Sequence, residues 1–223
     1  MKTHPGLVSL NLTSLPVDYA DIRIEETFES AITFKNGELL SCQELPAAGA
    51  FLRVYHKGRW HEASTTRLDK LPEEINQLVE RALKATPGQG KALPARAAES
   101  YNLEAYGEVA ANKVSLEEKL EFCKALLPIT KEFSEMADYT LAYSDRYKKK
   151  WFAAKDGVSF FSDYNQAGAR IRFSLKRGEK LFDDTTSTWF MSPKGQLEKT
   201  LKKFREEIKE SILFLDAETI APG

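Results

Sequence analysis

His61 and Glu62 have the types and order that could do metal chemistry. His-Glu opens the HExxH pattern, in which two histidines one helical turn apart hold zinc and the glutamate activates a water. The chain continues Ala63-Ser64-Thr65-Thr66, so the second histidine is missing from that spacing. His56 is the nearest other histidine, across Gly58, and a third ligand would have to come from elsewhere. The surrounding residues read as a strand, which makes His61 a sheet-surface residue rather than a ligand.

Other constellations fall short in similar ways. Gly88-Gln89-Gly90-Lys91 starts like a phosphate loop, but GxxxxGK[ST] is incomplete and neither an apolar strand nor a helix frames it, so linker flexibility accounts for its glycines. Lys148, Lys149 and Lys150 lie between Tyr147 and Trp151, a mixture that could stack bases and neutralise phosphates. A charged strand edge that discourages aggregation needs the same residues and is the simpler account. The Ser64–Thr66 and Thr185–Thr188 runs have no GxSxG elbow near them. Glu25, Glu26, Glu29, Asp183 and Asp184 lack a context that separates a catalytic pair from solvated charge. No residue is therefore assigned a catalytic, cofactor-binding or metal-binding role from the sequence.

Bulk properties narrow the partners. Lys plus Arg number 32 against 33 Asp plus Glu, a net charge of -1, so no global field draws the chain to nucleic acid or an anionic membrane. Cys42 and Cys123 are far apart and outside any CxxC spacing, which argues against a disulfide framework and for a reducing compartment. The first residues lack a signal-peptide apolar core, and no run reaches the length a membrane helix requires. The chain reads as cytoplasmic, with no membrane partner and nucleic acid disfavoured.

The elements that must position any site follow from periodicity. Ala20, Ile22, Ile24 and Phe28 alternate with Tyr19, Asp21, Arg23 and Glu25, a half-buried strand. A second strand around Ile32–Phe34 meets Asn36-Gly37, suited to a type I′ turn, and the chain returns through Glu38 to Cys42. After Pro46 and Gly49 come a strand Phe51–His56, a turn at Lys57-Gly58 and a short strand from Arg59 to about Ser64. From Pro72, the spacing of Ile75, Leu78, Val79, Ala82 and Leu83 predicts an amphipathic helix. Ser115 and Glu118 form a capping box for a helix with Leu116, Leu120, Cys123 and Leu127 on one face, which Pro128 should kink or end. Tyr139, Leu141 and Tyr143, the Asp156-Gly157 turn, and Ala169, Ile171, Phe173 and Leu175 predict a second meander. A helix with Leu197, Leu201, Phe204, Ile208 and Ile212 inward follows it.

The fold class is thus α+β: two antiparallel β-meanders, each covered by amphipathic helices. Residues 1–86 form the first domain, 87–114 a linker or crossing segment, and 115–223 the second domain. KNG, AGAFLRV and KG in the first half match KDG, AGARIRF and KRG in the second, in the same order, which points to an internal structural repeat.

The stretch from Asp18 to Thr65, above all YADIRIEE, the Asn36-Gly37 turn and the segment that ends in Ala63-Ser64-Thr65, resembles the N-terminal domain of the TldD/PmbA (TldD/TldE) family. These proteins were once described as modulators of DNA gyrase and are now regarded as zinc metallopeptidases. The resemblance continues more loosely through KDGVSFF to FLDAETIAPG at residues 214–223. His61-Glu62 departs from it, since a small residue and an aromatic are expected there. In the family the HExxxH zinc motif and a further cysteine ligand lie downstream. The resemblance therefore implies no zinc in this chain, zinc in a missing C-terminal metallopeptidase domain, and no activity of this chain alone. It implies a homo- or heterodimer with a TldD/TldE-type subunit, peptide or unfolded-protein substrate, and a role in cavity wall, substrate admission and subunit interface. The alternative is a stand-alone peptide- or protein-binding module with no peptidase activity.

Overall fold

The computed structural model describes residues 4–8, 10–91, 93–94 and 96–217. Part of the N-terminal segment and the last six residues of FLDAETIAPG therefore lie outside the described residues. Along the chain the elements are helix α1 (Pro5–Val8), strands β1 (Tyr19–Lys35), β2 (Glu38–His56) and β3 (Arg59–Thr65), helix α2 (Leu71–Lys84), the short strand β4 (Ser100–Leu103), helix α3 (Leu116–Leu126), strands β5 (Met136–Ala154), β6 (Ser159–Arg177) and β7 (Lys180–Phe190), and helix α4 (Leu197–Leu213).

The class is α+β. Two long strands, a shorter strand and a helix occur in that order twice, as β1-β2-β3-α2 and as β5-β6-β7-α4. The strands hydrogen-bond in the order β3-β2-β1-β5-β6-β4, with β7 also on β6. β2–β3 and β6–β7 pair antiparallel, whereas β4 lies parallel to β6. Asn36 and Gly37 have φ of 49° and 89°, and Lys57 and Gly58 have 45° and 74°, the paired positive values that a type I′ hairpin turn requires.

Two differences from the sequence expectation concern continuity. β1 runs unbroken from Tyr19 to Lys35, and β2 runs through Pro46 and Gly49 without a turn. β3 pairs β2 only from Ala50 to His56, so among the described residues β2 has no strand partner on its outer side at Pro46. A missing N–H there need remove no ladder bond, and proline is tolerated on such an edge.

The chain divides into two compact units that interleave along the sequence. One comprises residues 1–27, 46–107 and 148–164, the other 28–45, 108–147 and 165–223. In the first, Ala20, Ile22 and Ile24 of β1 and Leu52 and Val54 of β2 pack with Leu71, Ile75, Leu78 and Ala82 of α2. All of these are buried, as the period-two and period-3.6 patterns require. In the second, Phe122, Cys123 and Leu126 of α3 and Phe204 and Ile208 of α4 pack on Leu141, Tyr143, Ile171 and Phe173. The expected capping box starts α3: the Ser115 hydroxyl accepts from the Glu118 N–H at 3.1 Å, and the Glu118 carboxylate accepts from the Ser115 N–H at 2.9 Å. No helix among the described residues is long and apolar enough to cross a membrane.

Candidate peptide-admitting groove

Alternation sorts the first unit's sheet into two faces. Ala20, Ile22, Ile24, Leu52 and Val54 turn to the core under α2, so Tyr19, Asp21, Arg23, Glu25, Phe51, Arg53 and Tyr55 turn to the opposite face. The β2–β3 register sets Ser64 across from Phe51, Glu62 across from Arg53 and Trp60 across from Tyr55, which adds these three to the same face.

At one end of that face the polar groups hold one another. Asp21 is almost wholly buried and accepts a two-pronged contact from Arg53, Nη2 to Oδ2 at 2.7 Å and Nε to Oδ1 at 3.1 Å. The Arg53 guanidinium also lies 5.0 Å from the Trp60 ring centre. Arg96 Nη2 donates to the Tyr19 hydroxyl at 3.0 Å. Burial, reinforced by the Asp21 charge, pushes the Tyr19 phenol up to about 12, so it stays neutral.

The other end opens into a groove of about 780 Å³ lined by Arg23, Glu25 and Thr27 of β1, Ala47–Phe51 of β2, and Ser64–Arg67 where β3 ends. Its walls are small because Ala47-Ala48-Gly49-Ala50 carries no large side chain, and it opens where β3 stops pairing with β2. Among the described residues the main chain of β2 there has no strand partner on its outer side, the arrangement that an extended peptide uses when it adds to a sheet. Burial acts to raise the Glu25 carboxyl, but Lys148 at 3.0 Å and Lys150 at 3.4 Å outweigh it and hold the group below its usual range. Arg67 pairs with Glu74.

The residues weighed from the sequence fall into place around these features. His61 lies across from Val54 on the core-side face and Glu62 lies across from Arg53 on the other, so the two cannot act on one ligand. Burial, followed by the charges of Arg59 and Arg81, lowers the His61 imidazole pKa, an environment that repels a cation. Among the described residues no cluster of three or more His, Cys, Asp or Glu side chains could hold a metal ion. The described residues around His61 therefore do not fit a zinc centre.

The three lysines occupy β5, which is paired on both sides by β1 and β6, so the strand-edge account is corrected. What keeps them there is charge: Lys148 and Lys150 meet Glu25, and Lys149 meets Glu26. Several of the carboxylates read as solvated are likewise engaged. Glu29 accepts from Arg146 at 2.6 Å, Asp183 from Ser174 at 2.5 Å and Asp184 from Ser211 at 2.6 Å. The Gly88 and Gly90 amides donate to Lys57 and Gly58 carbonyls at 2.8 and 2.9 Å. A Cβ at either glycine would come within 2.6 Å of the Gly58 oxygen, so close approach, not flexibility, requires them. Of the groove residues, Glu25 and Ser64–Thr66 were weighed for chemistry in the sequence, and the others carry no chemical signal there. The available signal is the Pro46–Ala50 run of small residues, which periodicity alone marks only as a strand interruption.

Comparison with known proteins accords with the resemblance seen in the sequence. Residues 20–86 match the family model described as PmbA/TldA metallopeptidase domain 1. No curated protein matches the chain significantly in sequence. Among solved structures, a protein from Thermotoga maritima described as a modulator of a DNA gyrase superposes with a TM-score of 0.71 at 19% identity, over 92% of this chain and 46% of its own. TldE from Thermococcus kodakarensis superposes with a TM-score of 0.66 at 12% identity, over 86% of this chain and 44% of its own. A protein from Bacteroides thetaiotaomicron described as a modulator of DNA gyrase gives 0.61 at 14% identity, over 92% and 47%. At these identities the likeness is one of fold, and the chain spans less than half the length of each solved relative.

Proposed function

We propose, from the premise that residues 20–86 carry the first-domain pattern of the PmbA/TldA metallopeptidases, that this chain is a substrate-admitting portion of such a peptidase and not its catalytic centre. One observation carries this reading: an open groove walled by Ala47–Ala50 lies against a length of β2 that has no outer strand partner among the described residues. Backbone hydrogen bonds at a sheet edge accept an extended peptide with little demand on its side chains, as an enzyme acting on unfolded segments requires. The zinc that gives the family its activity is supplied by residues outside this chain, in a further domain or in a TldD/TldE-type partner subunit. The assembly works in the cytoplasm, and the chain adds cavity wall and subunit interface to it.

The test is to mix the chain with an unstructured polypeptide and zinc and to follow both binding and cleavage. Binding that shifts NMR signals of residues 47–51 and 64–67, with no cleavage until an HExxxH-bearing partner is added, is the expected result. Zinc-dependent cleavage by this chain alone would overturn it. Intact mass of the native gene product then separates the two sources of the zinc site. Peptide binding with no zinc-bearing continuation or partner in the source cell would leave a stand-alone binding module.

A further inference from the structure

Arg23 sits in the groove without a counterion. It is exposed and has no ion-pair or hydrogen-bond partner among the described residues. Its same-face neighbours on β1 are both carboxylates, and both are taken: Asp21 by Arg53 at 2.7 Å, and Glu25 by Lys148 and Lys150 at 3.0 and 3.4 Å. The other lining cation, Arg67, is held by Glu74. Taken with the groups that hold them, the lining charges are four cations, Arg23, Arg67, Lys148 and Lys150, against two carboxylates, Glu25 and Glu74. The groove is thus locally positive in a chain whose net charge is -1.

We propose that the groove selects extended peptide segments with acidic side chains, and that Arg23 is the residue that pairs with them. The proposal rests on the reading of the groove as a peptide-admitting surface. The small walls at Ala47–Ala50 let a backbone approach the free side of β2. An extended strand repeats its side chains toward one face about every 6.8 Å, so alternate carboxylates reach along the face where Arg23 stands. Arginine suits the task because its planar fork meets a carboxylate with two donors.

Calorimetric titration of the whole chain with three peptides of about ten residues, alternating Ala-Glu, Ala-Gln and Ala-Lys, tests this. The Glu peptide should bind about fivefold tighter than the Gln peptide, the scale of an exposed ion pair, and the Lys peptide weakest. The gap should close in about 0.5 M salt. Arg23→Gln should shrink the Glu-over-Gln preference to less than about twofold, and Arg23→Lys, which keeps the charge but loses the two-donor fork, should keep only part of it. Equal binding of all three peptides would overturn acidic selection while leaving a peptide groove in place. A preference that survives Arg23→Gln would overturn the role of Arg23. No binding by any of the three would overturn the groove reading itself, and this proposal with it.

Discussion

Lys119 Nζ lies 2.9 Å from Asp145 Oδ2, with both side chains wholly withdrawn from water in the second unit. The carboxylate is saturated: it also accepts from the Ser30 amide at 3.0 Å, the Ser30 hydroxyl at 2.6 Å and the Tyr143 hydroxyl at 2.7 Å. Lys119 in turn donates to the Ser30 oxygen at 2.9 Å and faces the Phe28 ring at 4.8 Å. A helix, β1 and β5 are thereby joined through one buried ion pair.

Removing either partner leaves an uncompensated charge in the core, so Asp145→Asn or Lys119→Met should each cost about 3–5 kcal/mol. The double change should cost less than the two single costs added, because the orphaned charge is gone. Urea unfolding of the four proteins checks this, and simple additivity would show that the pair is not coupled.

His61 sets a pH dependence for the first unit. Its imidazole pKa is lowered from 6.5 by burial first, then by Arg59, Arg81 and His56. Because the folded value lies below the unfolded one, the unfolded chain takes up the proton first as pH falls. Stability from this group is intact above about 6.5 and declines below it until the folded imidazole also protonates. The urea midpoint should therefore fall as pH drops below about 6.5, and His61→Gln should flatten that fall. An unchanged slope in the variant would assign the pH dependence to other groups.

What was legible in the sequence is what rests on near neighbours. The Asn36-Gly37 and Lys57-Gly58 turns, the Ser115–Glu118 capping box and the inward stripe Ile75, Leu78, Val79 and Ala82 each depend on contacts within a turn or two. What was not legible depends on partners far along the chain. Pro46 looks like a strand end because its tolerance depends on where β3 stops. The lysine run looks like an edge because Glu25 and Glu26, more than a hundred residues earlier, supply its charge partners. The groove is invisible for the same reason: Arg23, Ala47–Ala50 and Ser64–Arg67 become one surface only when three strands align.

The two cysteines should differ in reactivity. Cys123 is 1% exposed on the core-facing side of α3, and burial, with a smaller contribution from Cys42, pushes its thiol up to about 12. Thiolate, the reactive form, is then scarce at pH 8. Iodoacetamide with mass mapping should leave Cys123 unmodified in the native protein and modify it once urea unfolds the chain. Native labelling of Cys123 would show that the second unit opens readily.

Filling the groove should separate binding from folding. Ala47 is exposed and shares the outward face with Gly49 and Phe51, so Ala47→Trp places a large ring where the walls are small. No core contact is lost, and surface substitutions of this kind change stability by about 0.5 kcal/mol or less. Affinity for an acidic extended peptide should nevertheless fall by about tenfold or more, equivalent to about 1.4 kcal/mol. Calorimetry and thermal melting on the same preparation report the two quantities. A variant that binds as tightly as the parent would place the peptide elsewhere on the chain, because a ligand seated against Ala47–Ala50 cannot coexist with the added indole.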